Sequence, residues 1–390
     1  MENYVNKLNE LKENSSFRTI KNIIERKDKF IKVDDALMLN LSSNDYLNIS
    51  TNKDLISEFI DKNRFTPEFL FSSASARLLT GNSKAYFELE NNIKKLYNKE
   101  AALLFNTGYQ CNQGVVSTLF SSKDCIFCDK LIHASVVSGL KLSPAQHFRY
   151  PHNNYEMLEK MLIKNRNQFD KVIIITESVF SMDGDCADLE KLIELKKKYN
   201  CMLMVDEAHA FGVFGENAQG LSAKNNLFND IDIITITLGK ALGSMGAVCI
   251  SNKTIIDYLI NKASSFIFST VIPPVNVLWS NFLLTEKFDF ILKQKEKLND
   301  LFSFAHKIYP SISSSQIIPV VLKDSKKTFM VADVLQKQGY YVLPINPPTV
   351  PNGQSRLRVS LTSDIEKAEI QRFFELVKKE SEKIDEKSLA

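Results

Sequence analysis

Short apolar runs alternate with amphipathic segments through the middle of the chain, and this alternation limits the possible folds more than any other feature. The apolar runs at residues 171–176, 201–209, 232–238 and 247–251 have the length of buried strands. Between the first two, residues 188–200 carry leucine and isoleucine at helical spacing, with lysines on the outer face. Buried strands joined by helices predict an α/β fold with a mostly parallel sheet flanked by helices, which binds ligands at the carboxyl ends of its strands.

The pattern changes near residue 285, where a long charged helix leads into a shorter mixed region of strands and helices. We therefore expect three parts: an N-terminal helical arm over residues 1–45, a large domain over 46–285 and a smaller C-terminal α/β domain over 286–390. The Lys- and Glu-rich end, from about Lys378, is expected to be a frayed helix and tail. A chain of 390 residues is long enough to form a large core with a cleft.

Composition excludes several classes of partner. The chain has 49 Lys and Arg against 46 Asp and Glu, so its net charge of +3 indicates neither nucleic acid nor an anionic membrane. The charged N-terminus lacks the apolar core of a secretory signal, and no run approaches the roughly 20 apolar residues of a spanning helix. The six cysteines are sparse and fit free thiols in a reducing cytoplasm. For Cys125 and Cys128, core packing is a better explanation than a metal site, so we expect no metal.

A lysine among small residues lies just after one buried run. Lys240 is flanked by Gly239, Ala241 and Gly243, which leave room for a flat ligand and for an imine at its amine. A lysine near glycines is also common as a solvated loop charge. Asp206 and His209 follow the neighbouring strand and are expected at the same sheet edge. A carboxylate that keeps a heterocyclic nitrogen protonated, with a lysine imine as anchor, suits pyridoxal 5′-phosphate (PLP). A strand-terminal Asp can equally form a turn or a helix cap.

The segments around these residues resemble a known family. TLGKALGSMG at 237–246 resembles the PLP-lysine signature of the fold-type I, class II aminotransferase group, and VDEAHAFGVFG at 205–215 is similar to its cofactor-aspartate segment. Within that group the chain resembles the α-oxoamine synthases, which condense an amino acid with an acyl thioester and lose CO2. The resemblance runs from about Asn40 to Thr362 through LSSNDYL at 41–47, SARLLTGN at 75–82, ALLFNTGYQCNQ at 102–113, DKLIHAS at 129–135, SVFSMDGD at 178–185, FIFSTVIPP at 266–274, PPTVP at 347–351 and SRLRVSLT at 355–362. It implies the PLP-dependent transferase fold of type I.

The resemblance implies a role for each matching residue around the cofactor. Lys240 would bind PLP covalently and act as the base, Asp206 would pair with the pyridine nitrogen, His133 would stack on the ring and His209 would contact the ring oxygen O3′. A lone His among apolar residues, as His133 is in LIHASVV, is also common as a core residue. Phosphate-binding residues would be the backbone of Gly108 and Tyr109, the hydroxyls of Ser181 and Thr237, and Ser269 and Thr270 reaching the neighbouring subunit's phosphate.

The family also binds its substrate carboxylate through an arginine late in the small domain, which Arg358 matches. The planar fork of an arginine suits a carboxylate. Arg356 lies two residues away on the same strand face and stays an alternative. Arg18 resembles the N-terminal arginine that meets the acyl substrate, Thr349 resembles the acyl-contacting threonine, and Asn44 of the LSSNDYL motif is assigned to substrate binding as well.

Three segments, IFSTVIPP, INPPTVP and SVFSMDGD, look most like the family branch that joins L-alanine to a pimeloyl thioester in biotin biosynthesis, with coenzyme A or acyl carrier protein as the carrier. The resemblance implies a homodimer with its active site at the subunit interface. One alternative is a sister enzyme using glycine or serine, of the 2-amino-3-ketobutyrate ligase or serine palmitoyltransferase type. Another is a catalytically silent partner subunit, which the presence of Lys240, Asp206 and His133 together opposes. Asn346 replaces an arginine that often precedes PPTVP.

Overall fold

The chain forms two compact units. A computed structural model describes residues 2–13 and 17–389, and the side chains of residues 3–13 and 17–385. The large unit comprises Asn52–Ser181 and Cys186–Glu296, and the small unit comprises the described residues of Met1–Thr51, Met182–Asp185 and Lys297–Ala390.

Fourteen strands are formed by the described residues. They are β1 Ile23–Lys27, β2 Phe30–Val33, β3 Ala36–Asn40, β4 Ala101–Phe105, β5 Cys125–Asp129, β6 Gln146–Tyr150, β7 Val172–Glu177, β8 Met202–Asp206, β9 Ile233–Thr237, β10 Ala247–Ser251, β11 Ile317–Lys323, β12 Tyr340–Tyr341, β13 Pro344–Ile345 and β14 Ser355–Ser360.

Thirteen α-helices are also present in the described chain. They are α1 Glu2–Glu13, α2 Lys53–Asn63, α3 Lys84–Leu96, α4 Gly108–Leu119, α5 Ala134–Leu142, α6 Tyr155–Asn165, α7 Leu189–Lys198, α8 Lys253–Lys262, α9 Ser264–Ile267, α10 Pro274–Thr285, α11 Phe288–Ile308, α12 Ser325–Lys337 and α13 Lys367–Leu389. Shorter helical segments span Arg77–Gly81, Arg166–Gln168 and Leu221–Asp230.

The large unit is built on a seven-stranded sheet in the order β4-β10-β9-β8-β7-β5-β6. Strands β9, β8, β7, β5 and β6 run parallel, whereas β10 pairs antiparallel with both β4 and β9. The four apolar runs predicted as strands form β7, β8, β9 and β10, and the helix predicted between the first two is α7. The prediction of a mostly parallel sheet flanked by helices is therefore confirmed.

Every residue of β5, β7 and β10 is buried, which explains their continuous apolar sequences. Cys125 and Cys128 both lie in β5, where burial raises the pKa of each thiol to about 12. These two thiols therefore stay protonated and fill the core. Among the residues that the structure describes, no helix has both the length and the apolar character needed to cross a membrane.

The small unit contains a four-stranded sheet, β1-β2-β3-β12, and a three-stranded sheet, β11-β14-β13. The residues that make up this unit differ from the predicted domain boundaries. Strand β3 pairs in parallel with β12, and this pairing joins the N-terminal segment to the C-terminal part of the chain. The predicted N-terminal arm is helical only in α1, and residues 23–40 form three strands instead; residues 14–16 lie outside the described chain. From Lys378 the chain continues as the last part of α13, which ends at Leu389, and the predicted fraying stays a prediction.

Candidate active site

Three polar residues meet at one edge of the large sheet because three neighbouring parallel strands end there. Strand β7 ends at Glu177, β8 at Asp206 and β9 at Thr237. In the strand register Glu177 lies opposite Asp206, and Asp206 lies opposite Thr235. This edge is the one at which parallel sheets bind ligands.

A cavity of about 280 Å³ opens at this edge. A larger cavity, of about 570 Å³, lies in the small unit and is lined mainly by side chains of α13 and β11. We assign the chemistry to the smaller cavity because its walls carry an amine, carboxylates and imidazoles. Predicted site residues that line it are Gly108, Tyr109, His133, Asp206, His209, Thr237 and Lys240.

Lys240 lies in the turn after β9, and its Nζ is 2.9 Å from Nε2 of His209. His209 is buried three residues beyond the end of β8, so one sheet edge positions both side chains. The contact places a basic amine beside an imidazole that can share a proton with it.

Asp206 is held by partners on both carboxylate oxygens. Oδ2 accepts a 2.6 Å hydrogen bond from Nδ2 of Asn112, and Oδ1 accepts a 2.9 Å bond from the backbone N–H of Ala208. Asn112 is itself oriented, because its Oδ1 accepts from the hydroxyl of Thr235 at 3.0 Å. Asn112 lies within the ALLFNTGYQCNQ motif but was not among the predicted site residues. The signal that could have predicted Asn112 was its position one turn into α4, facing the sheet edge.

His133 is the N-cap of α5. Its Nδ1 accepts from the backbone N–H of Ser135 at 3.2 Å and lies 2.7 Å from the Ser135 hydroxyl. Desolvation and the positive charge of Lys240 lower the pKa of His133, while the charge of Asp206 opposes them. A neutral imidazole ring at the cavity wall suits stacking on a flat ligand.

Glu177 is a further cavity residue that was not among the predicted site residues. It is 2% exposed, and its Oε1 has no hydrogen-bond partner in the described structure. Burial and the neighbouring charge of Asp206 raise the pKa of the Glu177 carboxyl well above its usual range. The available signal was its place directly after the apolar run 171–176, where a parallel strand reaches the binding edge.

The start of α4 has backbone donors that could hold an anion. Thr107 caps the helix by accepting from the backbone N–H of Gln110, and its carbonyl accepts from Cys111, which leaves the first two N–H groups of the helix, on Gly108 and Tyr109, as donors. A Cβ on Gly108 would lie 2.7 Å from Cγ2 of Thr237, so only glycine fits beside that side chain. Two segments predicted to hold phosphate are therefore neighbours.

Three other residues were predicted to bind phosphate, and none of them is among the described residues that line the cavity. Ser181 follows β7, and its backbone N–H acts on the carboxyl of Glu177. Ser269 donates from its hydroxyl to the carbonyl of Ser265 at 2.8 Å. Thr270 is exposed, and its carbonyl accepts from Asn106. The roles of these three residues stay predictions.

The predicted substrate residues belong to the small unit. Arg358 is buried on β14, and its Nη2 donates to Oδ1 of Asn44 at 3.2 Å. At the surface of the same unit, Nη2 of Arg18 donates to Oγ1 of Thr349 at 2.9 Å. The structure thus brings the four predicted substrate residues together as two pairs.

Arg356, the alternative to Arg358, is engaged in a buried ion pair. Its Nη1 bonds the carboxylate of Asp183, and its Nε donates to the carbonyl of Gln354 at 3.0 Å. Asp183 lies in the SVFSMDGD segment, where Gly184 has φ +66° and a Cβ would lie 1.9 Å from the carbonyl oxygen of Ile317. Arg356 therefore holds this turn, which leaves Arg358 as the better candidate for a substrate carboxylate.

The residues around the large-unit cavity fit PLP. The amine of Lys240 can bond an aldehyde carbon, the carboxylate of Asp206 can pair with a ring nitrogen, and the start of α4 can hold a phosphate. The unpartnered oxygen of Glu177 shows that the cavity wall has hydrogen-bonding capacity left for a polar ligand.

Comparison with known proteins gives three kinds of match. The family model for aminotransferase class I and II matches residues 36–377. A protein of Pasteurella multocida (strain Pm70) named "Putative 8-amino-7-oxononanoate synthase" is 44% identical over 377 residues, which are 95% of this chain and 97% of that protein. The solved structure of 8-amino-7-oxononanoate synthase from Francisella tularensis is 29% identical, with a TM-score of 0.72, and the match covers 90% of this chain and 99% of that chain.

A second solved structure is a serine palmitoyltransferase from S. paucimobilis with a PLP-myriocin aldimine bound. It has a TM-score of 0.86 at 24% identity, and the match covers 98% of each chain. These matches confirm the predicted fold and the predicted cofactor, PLP.

Proposed function

Because the chain belongs to the aminotransferase class I and II family of PLP-dependent enzymes, we propose that it condenses L-alanine with a pimeloyl thioester. The products are 8-amino-7-oxononanoate, CO2 and the free carrier thiol, as a step of biotin biosynthesis. The observation that carries the chemistry is the shared cavity of Lys240 and Asp206. The choice of substrates is supported by the 44% identity, over 95% of the chain, to a protein named for this product.

PLP, when bound, supplies an electron sink that stabilises negative charge at the amino acid's α-carbon. Lys240 would hold the cofactor covalently in the resting enzyme, and its amine, when free, would take the α-proton of the substrate and later return one. His209, 2.9 Å from the Lys240 amine, can accept or supply that proton. Asp206, oriented by Asn112, keeps the ring nitrogen protonated.

The remaining residues hold the ligands. His133 packs its ring against the cofactor, and the first N–H groups of α4, with Thr237 and Ser181, bind the phosphate. In the small unit, Arg358 and Asn44 bind the substrate carboxylate, and Arg18 and Thr349 contact the acyl chain. The two residues of each pair are hydrogen-bonded to each other, which supports assigning each pair to a single ligand group.

The proposed enzyme is a homodimer whose Ser269 and Thr270 reach the partner's phosphate. Support comes from large apolar side chains at the surface of the large unit, next to this segment. Phe71 is 77% exposed, Leu79 79% and Phe268 83%. The bridge between Ala76 and Thr270 joins the two segments that carry them. A cytoplasmic location is supported by the six free cysteines.

A sister activity is a second candidate. The TM-score of 0.86 with a serine palmitoyltransferase, against 0.72 with the 8-amino-7-oxononanoate synthase structure, favours keeping α-oxoamine synthases that use serine or glycine in the test. We rank this candidate second because the identity to that transferase is only 24%.

The test is a competition assay with product identification. PLP-loaded protein is incubated with equal alanine, glycine and serine and with pimeloyl, acetyl, succinyl and palmitoyl thioesters, the pimeloyl group on coenzyme A and on acyl carrier protein in separate reactions. We expect 8-amino-7-oxononanoate as the main product by mass spectrometry. A different amino ketone would favour the sister activity, and no product from either carrier would contradict both.

Lys240→Ala is the control for chemistry at the lysine. Borohydride treatment of the wild-type holoenzyme should fix the cofactor covalently on the peptide that contains Lys240. The variant should retain no cofactor after the same treatment and form no product. Cofactor fixed on another lysine would contradict the assignment.

A further inference from the structure

Glu177 is a second carboxyl at the cavity, and the proposed reaction does not use it. Glu177 is the last residue of β7 and lies directly opposite Asp206 in the parallel register. It lines the cavity, is 2% exposed and has no hydrogen-bond partner for Oε1 among the described residues. A buried polar atom without a partner is uncommon in folded proteins and calls for an explanation.

Other buried carboxylates of the large unit are fully partnered, which makes Glu177 different. Glu207 accepts from the hydroxyl of Ser178 and from the backbone N–H groups of Leu221 and Ser222. Asp206 accepts on both oxygens, as described above. The fold therefore supplies donors to buried carboxylates at this edge, yet leaves Oε1 of Glu177, a residue that lines the cavity, without one.

Two carboxylates at neighbouring strand ends, both shielded from water, do not both carry a charge at low cost. Asp206 accepts hydrogen bonds on both carboxylate oxygens, whereas Oε1 of Glu177 accepts none, so the geometry places the proton on Glu177. Burial and the Asp206 charge both raise the pKa of Glu177; the charge of Lys240 and the N–H groups of His133 and Ser181 act in the opposite direction without cancelling them. A protonated carboxyl is a hydrogen-bond donor.

We propose that Glu177 is a further cofactor-binding residue, which stays protonated and donates a hydrogen bond to an acceptor atom of bound PLP. The proposal rests on the PLP site of the proposed function. The neutral donor completes the hydrogen bonding of the cavity wall without adding a second negative charge beside Asp206. Titratable groups that line the cavity together with Glu177 are Tyr109, His133, Asp206, His209 and Lys240.

The test compares Glu177→Gln with Glu177→Met as holoenzymes. Gln keeps a neutral donor of the same length, and Met keeps the length but loses the donor. The measurements are the PLP dissociation constant and the pH midpoint of the visible absorption change of the bound cofactor. We expect Glu177→Gln to match the wild type in both, and Glu177→Met to bind PLP roughly tenfold more weakly with a shifted midpoint.

Glu207→Gln is the matched control, because Glu207 is a buried, fully partnered carboxyl outside the set of residues that line the cavity. It should lower the melting temperature and leave the pH midpoint unchanged. If Glu177→Met lowers only the melting temperature, Glu177 is structural and the proposal is wrong. If Glu177→Gln moves the midpoint by more than about one pH unit, Glu177 is charged in the wild type and the proposal is also wrong. Failure of the wild type to bind PLP through Lys240 would overturn the proposed function as well, and this outcome is distinct from both.

Discussion

Nδ2 of Asn112 donates a 2.6 Å hydrogen bond to Oδ2 of Asp206, and this bond joins the first turns of α4 to the end of β8. The same helix offers its first N–H groups to an anion beside Thr237. One element therefore orients the carboxylate at one end of the proposed cofactor and holds the phosphate at the other. A shift of α4 would therefore move both the donor to Asp206 and the N–H groups that hold the phosphate.

Removing the amide of Asn112 should weaken cofactor binding. Asn112→Leu keeps the volume of the side chain but takes a donor from an ionised carboxylate, a loss of about 1.5–3 kcal/mol. We expect the PLP dissociation constant to rise roughly 10- to 100-fold, as measured by absorbance titration. Ser117→Ala, five residues further along the same helix, should leave it unchanged. An unaltered constant in Asn112→Leu would contradict the role assigned to this bond.

Substitutions of Arg356 and Arg358 should separate stability from substrate binding. Arg356→Gln breaks a buried ion pair with Asp183 and is expected to cost about 3–5 kcal/mol of unfolding free energy. Arg358→Gln should instead raise the KM for alanine roughly 10- to 100-fold, since a charged hydrogen bond to the carboxylate is lost. Steady-state kinetics and thermal melts of both variants test this. A reversed pattern would assign the carboxylate to Arg356.

Acid should destabilise the protein partly through His133. Its pKa is lowered in the folded state, so below the usual value of about 6.5 the unfolded chain takes up a proton that the folded chain does not. Stability is therefore expected to fall as the pH drops from about 6.5 to 5.5. His133→Asn, which can still cap α5, should show a smaller fall in melting temperature. Burial also lowers the pKa of His306. This histidine contributes to the fall in stability in the same direction, so part of the fall should remain in His133→Asn. An equal fall in His133→Asn and wild type would contradict this account.

A charge in the exposed apolar patch of Phe71, Leu79 and Phe268 should disrupt the proposed dimer. Leu79→Glu is expected to elute as a monomer in size-exclusion chromatography with light scattering, near the chain mass of 44.4 kDa. Phe329→Glu, at a 58% exposed position of the small unit, is the control and should remain dimeric. A Leu79→Glu variant that stays dimeric would place the interface elsewhere.

Local periodicity was sufficient to predict four of the seven strands of the large sheet. The continuous apolar runs of β7, β8, β9 and β10 identify buried strands, and parallel strands bring their carboxyl ends to one edge, so Asp206 and Lys240 could be placed together from the sequence. The spacing could not reveal that β10 runs antiparallel to its neighbours, because a fully buried strand has the same apolar pattern in either direction.

Contacts between distant parts of the chain could only be seen in the tertiary structure. Asn112 and Asp206 are 94 residues apart, and Arg356 and Asp183 are 173 apart, so no local pattern links them. Strand β3 finds its partner β12 some 300 residues later, which moves the N-terminal segment into the small unit. The sequence by itself determined which residues could do chemistry, because side-chain type and strand ends are local properties. The tertiary structure decided which of them are oriented, neutral or committed to an ion pair, because burial and partners depend on packing between segments far apart in the chain.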